Sequence, residues 1–268
     1  MVTLKKGMVH ADVEMLQKAL NEKLKKELVP DGGFGGITEM TFKEYEKKYG
    51  FPVTGIFDSN VHKELWDFMN KRFVSIGDIE AIAKQKGIDP NMLRAIRKVE
   101  GLGSGFLSDG RPLILFERHK FYENIKTKFG VAKAEEIKAK EPSICHPVWD
   151  AKVYLGYKRE YDRLNLAITF DRECALKSAS WGMFQILGSN FKICGYSNVQ
   201  EFVDAMYASE DLHLKAVVSF IMEQPKLLHA ITTKNFVRIA EIYNGPQQAK
   251  HNYSGKIETA YKSFIAWS

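Results

Sequence analysis

Glu100 is the residue whose type and position most directly suggest chemistry. Residues 90–100 show the apolar spacing of a helix, which starts with a proline after an aspartate and stops before a glycine. Leu93 and Ile96 precede Glu100 by seven and four positions, so the three side chains share one helix face. An apolar surrounding and the negative end of the helix dipole both raise the pKa of a carboxyl group. Such an acid can protonate the leaving oxygen of a glycosidic bond, although a salt bridge to Arg97 or a nearby lysine is the alternative.

Other patterns that could carry chemistry fit their known contexts poorly. Gly101, Gly103 and Gly105 follow a predicted helix rather than a strand, which argues against a dinucleotide-binding loop. Cys145 and His146 are adjacent, and adjacent side chains need not face each other as a thiol-based hydrolase requires. The seven histidines lack metal-ligand spacing, and no nucleic-acid-binding motif accompanies the basic residues. We therefore expect no metal, no organic cofactor and no nucleic-acid partner.

The composition is that of a globular protein with a substantial core. The chain has 268 residues, of which 45% are hydrophobic and 12% aromatic, and this length allows one large domain or two smaller ones. Residues 1–70 carry 10 Lys and Arg against 11 Asp and Glu, whereas residues 71–268 carry 29 against 22. The basic second part suggests an anionic partner such as nucleic acid, a membrane surface or a cell wall, or else only a solvated surface.

The cysteines and the N-terminal residues indicate the cellular compartment in which the protein is expected. Cys145, Cys174 and Cys194 form an odd, widely spaced set, which argues against a disulfide framework and fits reduced thiols. The longest apolar run, within residues 216–222, is too short to span a bilayer. Polar and acidic residues stand where a signal peptide would be apolar. We expect cytoplasmic accumulation without stable membrane insertion.

Periodicity predicts a mainly helical chain with a minor β-element. Residues 12–28, 38–49 and 59–69 have helical spacing and are separated by turn sequences rich in Gly and Pro. Downstream helices are predicted over residues 78–86, 90–100, 131–140, 148–163, 199–207, 211–223, 235–243 and 255–266. The apolar run 113–116 is the best strand candidate. The polar stretch 71–77 lies between these two sets and is predicted to be a linker.

Residues 12–69 resemble the small three-helix peptidoglycan-binding domain of cell-wall hydrolases. The matching positions are Val13, Leu16, Gln17, Leu20, Asn21, Asp31, Gly32, Gly33, Phe34, Gly35, Thr38, Val53, Thr54, Gly55, Phe57 and Leu65. The resemblance implies a wall-binding turn that contains Asp31, Gly32, Phe34 and Gly35. Departures at residues 45–46 and 58–61 leave the strength of wall binding open, and a helical module without a binding role is the alternative.

Three separated blocks of the second part resemble the lysozyme-like superfamily, and more closely the N-acetylmuramidase domain of phage endolysins. The blocks are residues 99–106 leading into 110–119, residues 179–186 and residues 242–246. The superfamily's catalytic acid is a Glu at the end of a helix followed by a small residue, and this position matches Glu100.

Substrate contacts are predicted within the second and third blocks. Ser180 and Gln185 can donate hydrogen bonds to an N-acetyl or hydroxyl group. Tyr243 can hydrogen-bond near the scissile bond, and Asn244 can orient an acetamido group or the backbone. Trp181 offers a face for pyranose stacking, although a core aromatic is equally compatible with its context.

Glu117 is the candidate for the second carboxylate. It follows the predicted strand and belongs to the Glu-Arg-His part of the family resemblance. It would serve as nucleophile, base or electrostatic stabiliser of an oxocarbenium-like transition state. Alternatively, Glu117 only pairs with Arg118 or orients His119. In that case the substrate's own 6-hydroxyl could close an anhydro product, as in lytic transglycosylases.

The sequence therefore predicts a two-domain, monomeric enzyme that binds and cleaves peptidoglycan. Residues 1–70 are assigned to wall binding, 71–77 to the linker and 78–268 to a lysozyme-like catalytic domain. As the resemblance implies, the cleaved bond is the β-1,4 bond between N-acetylmuramic acid and N-acetylglucosamine. The protein would wait in the host cytoplasm until its release to the periplasm or cell wall. Host species, peptidoglycan chemotype and product stereochemistry are left open.

Overall fold

The computed structural model describes residues 1–100, 104–156, 158–245, 249 and 251–265, with the backbone alone at Ala151 and Asn244. The helices are α1 Ala11–Leu24, α2 Gly36–Lys48, α3 Lys63–Arg72, α4 Ile76–Gln85, α5 Pro90–Glu100, α6 Arg118–Phe129, α7 Val131–Lys140, α8 Glu160–Ile168, α9 Arg172–Lys177, α10 Val199–Ala208, α11 Glu210–Met222, α12 Pro225–Thr232, α13 Phe236–Asn244 and α14 Tyr253–Ile265. The strands are β1 Thr3–Leu4, β2 Phe57–Asp58, β3 Ile114–Phe116, β4 Ala179–Trp181 and β5 Ile186–Leu187. The predicted helical class with a minor β-element is confirmed.

The first apolar core lies among α1, α2 and α3, and it is closed on one side by the antiparallel pair β1–β2. Helix α1 is shorter than predicted because Lys25 takes a left-handed conformation with φ 57°. The Asn21 side chain then binds the backbone N–H and carbonyl of Leu28 at 2.7 and 2.8 Å. These side-chain bonds replace helical ones, so residues 25–28 leave the helix.

The third helix begins and ends later than predicted. The Asp58 carboxylate accepts the backbone N–H groups of Asn60 and Val61, which holds this segment in a turn before α3 starts at Lys63. Helix α3 continues to Arg72 and α4 begins at Ile76, so four residues of the predicted linker (71, 72, 76 and 77) are helical. Ser75 and Asp78 form a capping box that starts α4. The division into 1–70, 71–77 and 78–268 stays a prediction.

The second apolar core surrounds α5, which runs over the predicted residues and packs against α4 and α14. Strand β3 confirms the predicted strand, and β4 and β5 complete a three-stranded antiparallel sheet in the order β3-β4-β5. In its register Leu115 faces Ser180, and Ser180 faces Leu187. The sheet therefore brings the first and second sequence blocks side by side.

The predicted helix over residues 148–163 is wrong. Among the described residues of this range, only a 3-10 turn at Ala151–Val153 and the first residues of α8 are helical. Gly156 has φ +85°, and the Leu155 N–H donates to the buried Glu160 carboxylate at 2.6 Å. A hydrogen bond from the backbone to a side chain thus replaces a helical one, and apolar periodicity does not reveal such a bond. Helices α6, α9 and α12 were not predicted.

The three cysteines, Cys145, Cys174 and Cys194, are buried and unpaired. Burial raises the pKa of their thiols, to about 11 for Cys145 and about 12 for the other two. Within the described residues, no helix is both long and apolar enough to cross a bilayer.

Candidate active site

A cleft of about 730 Å³ separates the C-terminal end of α5 from the small sheet. Its other walls come from the loop before α8, from α11, from α13 and from the start of α14. The residues that line it include Glu100, Glu117, Ser180, Gln185 and Tyr243. Five of the residues predicted from the three sequence blocks therefore lie around one cavity, which is large enough to hold more than one sugar ring.

Glu100 is the last residue of α5 and lies partly buried on the cleft wall beside Val99. Met92, Leu93 and Ile96 of the same helix are fully buried in the core. Their packing fixes the axis of α5, so the helix end presents the Glu100 carboxyl group to the cleft. Burial raises the pKa of Tyr243 most, and the negative charge of Glu100 raises it further. These two side chains therefore interact electrostatically.

Glu117 stands on the sheet side of the cleft, directly after β3 and before the first turn of α6. Its side chain is mostly buried, and its Oε2 atom accepts a 2.5 Å hydrogen bond from the Tyr154 hydroxyl. The same oxygen lies 3.4 Å from Nδ1 of His119. Glu117 thus lies beside His119, which the alternative predicts it to orient, but its hydrogen-bond partner is a tyrosine that the sequence did not indicate.

Burial governs the protonation of the groups around Glu117. It raises the pKa of the Glu117 carboxyl, although the Tyr154 hydrogen bond and the Arg163 charge act in the opposite direction. Burial also lowers the pKa of His119, and the neighbouring Lys120 lowers it further. His119 is therefore neutral over more of the pH range than a free histidine. Burial and then the Glu117 charge raise the pKa of Tyr154, so its hydroxyl stays protonated and donates.

A buried ion pair holds the strand that carries Glu117. The Glu160 carboxylate accepts the Phe116 N–H at 3.2 Å and the Arg163 guanidinium at 2.7 Å. Arg163 in turn donates to the Phe116 carbonyl at 2.9 Å. Both charged side chains are buried, so removing either one would leave the other uncompensated. This pair fixes the backbone one residue before Glu117.

The second block divides its residues between the cleft and the core. Ser180 and Gln185 line the cleft, and Gln185 donates through Nε2 to the Gly182 carbonyl at 2.9 Å. The Trp181 ring is only 1% exposed, and its indole N–H donates to the Leu176 carbonyl. The stacking role predicted for Trp181 is therefore not supported, and the alternative of a core aromatic describes its position.

Gly182 is required for the sharp turn within this block. Its φ is +71°, and a Cβ atom there would lie 2.8 Å from Nδ1 of the buried His213. That same Nδ1 accepts the Met183 N–H at 3.1 Å, while Nε2 lies 2.7 Å from the Met206 carbonyl. Burial lowers the pKa of His213 to about 4, so the neutral ring holds the turn at neutral pH.

The third block contributes Tyr243 to the cleft. Its hydroxyl donates to the Phe184 carbonyl at 2.8 Å, which joins α13 to the turn of the second block. Burial raises the pKa of Tyr243 well above its usual range, so the hydroxyl remains protonated. Asn244 is the last residue of α13, but its side chain lies outside the described residues, so its predicted role stays a prediction.

Aromatic residues that the sequence did not indicate line another part of the cleft. The ring of His251 lies between those of Trp149 and Tyr253 on the cleft wall. Its centroid is 5.7 Å from that of Trp149 and 6.1 Å from that of Tyr253. Aromatic faces of this kind can pack against sugar rings. They come from two segments far apart in the sequence, and no repeated spacing links them. Among the described residues, no cluster of three or more His, Cys, Asp or Glu could hold a metal ion.

The turn predicted to bind the wall is organised by the Gln17 side chain, which bonds to Asp31 at 2.9 Å and to the Gly32 N–H at 2.9 Å. Gly32 has φ +77°, and a Cβ atom there would lie 3.2 Å from the carbonyl oxygen of His10, the residue before α1. The Phe34 ring is buried in the first core, so it supports the turn from beneath. Asp31 and Gly35 are exposed.

Comparisons with known proteins show what the chain is similar to. The N-acetylmuramidase family model matches residues 89–265, and the peptidoglycan binding domain model matches residues 9–65. The crystal structure of the Burkholderia AP3 phage endolysin superimposes with a TM-score of 0.64 at 32% sequence identity, and the match covers 99% of this chain and 100% of that chain. A search of curated proteins gave no match.

The fold and the cleft thus define a peptidoglycan hydrolase of the muramidase class. The chain belongs to the N-acetylmuramidase family, because the family model covers more than half of its length. The resemblance drawn from the three blocks is confirmed, and peptidoglycan is the substrate partner.

Proposed function

We propose that the protein is an endolysin that hydrolyses the β-1,4 bond between N-acetylmuramic acid and N-acetylglucosamine. The observation that carries this proposal is the placement of Glu100 and Glu117 on two walls of one cleft, one at a helix end and one after a strand. Glu100 donates its proton to the leaving glycosidic oxygen. The carboxylate of Glu117 serves as nucleophile, base or electrostatic stabiliser while water completes the hydrolysis.

Three further residues are proposed to contact the substrate. Ser180, Gln185 and Tyr243 all line the cleft, and they offer a hydroxyl, an amide and an aromatic edge to the sugar. The matched domain model over residues 9–65 supports a wall-binding role for the N-terminal unit, with Asp31 and Gly35 on its surface. The matched phage endolysin supports lysis of a host cell as the biological role.

The products distinguish hydrolysis from transglycosylation. We expect digestion of purified sacculi to give reducing N-acetylmuramic acid ends that have gained one water, because a second carboxylate faces the same cleft as Glu100. Mass spectrometry of the released fragments measures this directly. Fragments that end in 1,6-anhydro-muramic acid, and therefore lack that water, would replace the proposal with a lytic transglycosylase.

The hydrogen bond from Tyr154 makes the pH profile sensitive to one hydroxyl group. Because this bond lowers the pKa of Glu117, the Tyr154→Phe variant should have a higher Glu117 pKa than wild type. The ionised carboxylate then forms only at higher pH, so the acid limb of kcat/KM should move to higher pH.

Tyr122→Phe is the matched control, since it removes a 2.6 Å hydrogen bond to Glu135 outside the cleft. Rates of sacculus clearing measured from pH 4 to 8, about the range in which a raised carboxyl pKa acts, should show the shift only for Tyr154→Phe. An unshifted acid limb in Tyr154→Phe would show that Glu117 does not need to be ionised.

A further inference from the structure

The helix that carries Glu100 is tied to the N-terminal unit by a buried ion pair. Arg97 lies three residues before Glu100 on α5, and its guanidinium bonds to the carboxylate of Glu14 on α1. Lys18, one turn further along α1, binds the same carboxylate at 3.0 Å. Arg97, Glu14 and Lys18 are all buried. Their charges therefore meet where water screens them little.

The described segment that begins at Ser104 is held by the same network. Glu210, at the start of α11, is fully buried and accepts the Gly105 N–H at 2.8 Å through Oε1. Its Oε2 accepts hydrogen bonds from Lys18 Nζ at 3.0 Å and from the Val74 N–H at 3.1 Å. Lys18 therefore links Glu14, which holds the helix before Glu100, to Glu210, which holds the chain after it.

Apolar contacts also join this segment to the N-terminal unit. Phe106 belongs to the core of the N-terminal unit, where its ring lies 6.1 Å from that of Phe73. The Arg72 guanidinium lies 3.5 Å from the centroid of the Phe106 ring and donates to the Gly110 carbonyl at 2.5 Å. Contacts at Phe106 and Gly110 thus join this segment directly to the N-terminal unit.

A contact that served only to dock two units could be apolar, because a buried ion pair is often no more stable than apolar side chains of similar size. Charged hydrogen bonds instead fix direction and distance. Here they join the residues on both sides of Glu100 to a single helix of the N-terminal unit.

We propose that Glu14 and Lys18 are positioning residues for Glu100, so that the N-terminal unit is part of the catalytic machinery as well as a wall-binding module. The inference rests on the proposed role of Glu100 as the acid. Loss of either charge lets the end of α5 move relative to the sheet that carries Glu117. Turnover then falls even on substrates too short to engage a separate wall-binding surface.

The test compares Glu14→Gln and Lys18→Met with wild type on soluble glycan oligosaccharides prepared from peptidoglycan. We expect kcat to fall about 10- to 100-fold, as small misplacements of catalytic groups do, with KM within about twofold. Glu44→Gln is the matched control, because it removes an exposed ion pair with Lys26 in the same unit. This control should keep the wild-type kcat.

Folding and wall affinity are measured on the same proteins. Circular dichroism and thermal unfolding identify variants that fail to fold, and Glu14→Asp, which keeps the charge, should recover part of the lost kcat in a folded protein. Sacculus pull-down in a Glu100→Gln background should be equal with and without Glu14→Gln. Wild-type kcat in folded Glu14→Gln and Lys18→Met, or a change confined to KM, would overturn the inference. Activity retained by Glu100→Gln would instead refute the proposed function.

Discussion

The Glu100→Gln variant should clear sacculi at least about 100-fold and up to about 10,000-fold more slowly than wild type. Glutamine has nearly the same shape as glutamate but cannot supply the proton that the leaving oxygen needs. The cleft walls, including Tyr243 and Gln185, should stay in place, so affinity for sacculi should change little. Turbidity loss measures the rate, and pull-down of sacculi measures the affinity.

Glu223→Gln provides a matched control, because Glu223 is an exposed glutamate at the C-terminal end of another helix, α11. This control should lyse at the wild-type rate. Lysis by Glu100→Gln within a few fold of wild type would remove Glu100 from the role of acid. Loss of both lysis and sacculus binding would indicate a folding defect, which thermal unfolding would reveal.

The Glu117→Gln variant should lose at least about 100-fold in kcat, because an amide cannot carry the negative charge that stabilises the oxocarbenium-like transition state. The amide can still accept the Tyr154 hydrogen bond, so the local geometry should persist. Initial rates on soluble glycan oligosaccharides separate kcat from KM. Glu136→Gln, which alters an exposed carboxylate on α7, is the control.

A Glu117→Gln variant with nearly full activity would leave Glu100 as the only catalytic carboxylate of the proposal. Mass spectrometry would then be expected to detect anhydro ends, because the substrate's own hydroxyl would take the place of water. Reducing ends released at the wild-type rate would instead point to another carboxylate near the cleft.

The sequence predicted the parts of the site that depend on local pattern. Glu100 could be placed because the apolar spacing of residues 90–100 is regular and its ends are marked by a proline and a glycine. Ser180 and Gln185 could be assigned to the site because the block that contains them resembles a family motif. The turn around Gly182 depends on His213, about thirty residues away, so only the tertiary structure explains why glycine is needed there.

The partners of Glu117 could not be predicted, because Tyr154, Glu160 and Arg163 reach it or its strand from a distant segment. That segment was assigned to a helix from its apolar residues, but the hydrogen bond from the Leu155 N–H to the Glu160 carboxylate favours an irregular backbone there. The charges of Glu14 and Lys18 likewise resemble those of a solvated helix face in the sequence. Only the tertiary structure shows that both side chains are buried and that they pair with Arg97 and Glu210.

The buried thiols make the protein convenient for site-specific labelling. A maleimide reacts with an exposed thiolate, whereas the native cysteines are enclosed and hold their protons at neutral pH. One new cysteine on each side of the contact between α1 and α5 would therefore take up dye selectively in the unaltered background. Pairs of such dyes would report the separation of the two units while the enzyme works on an intact wall.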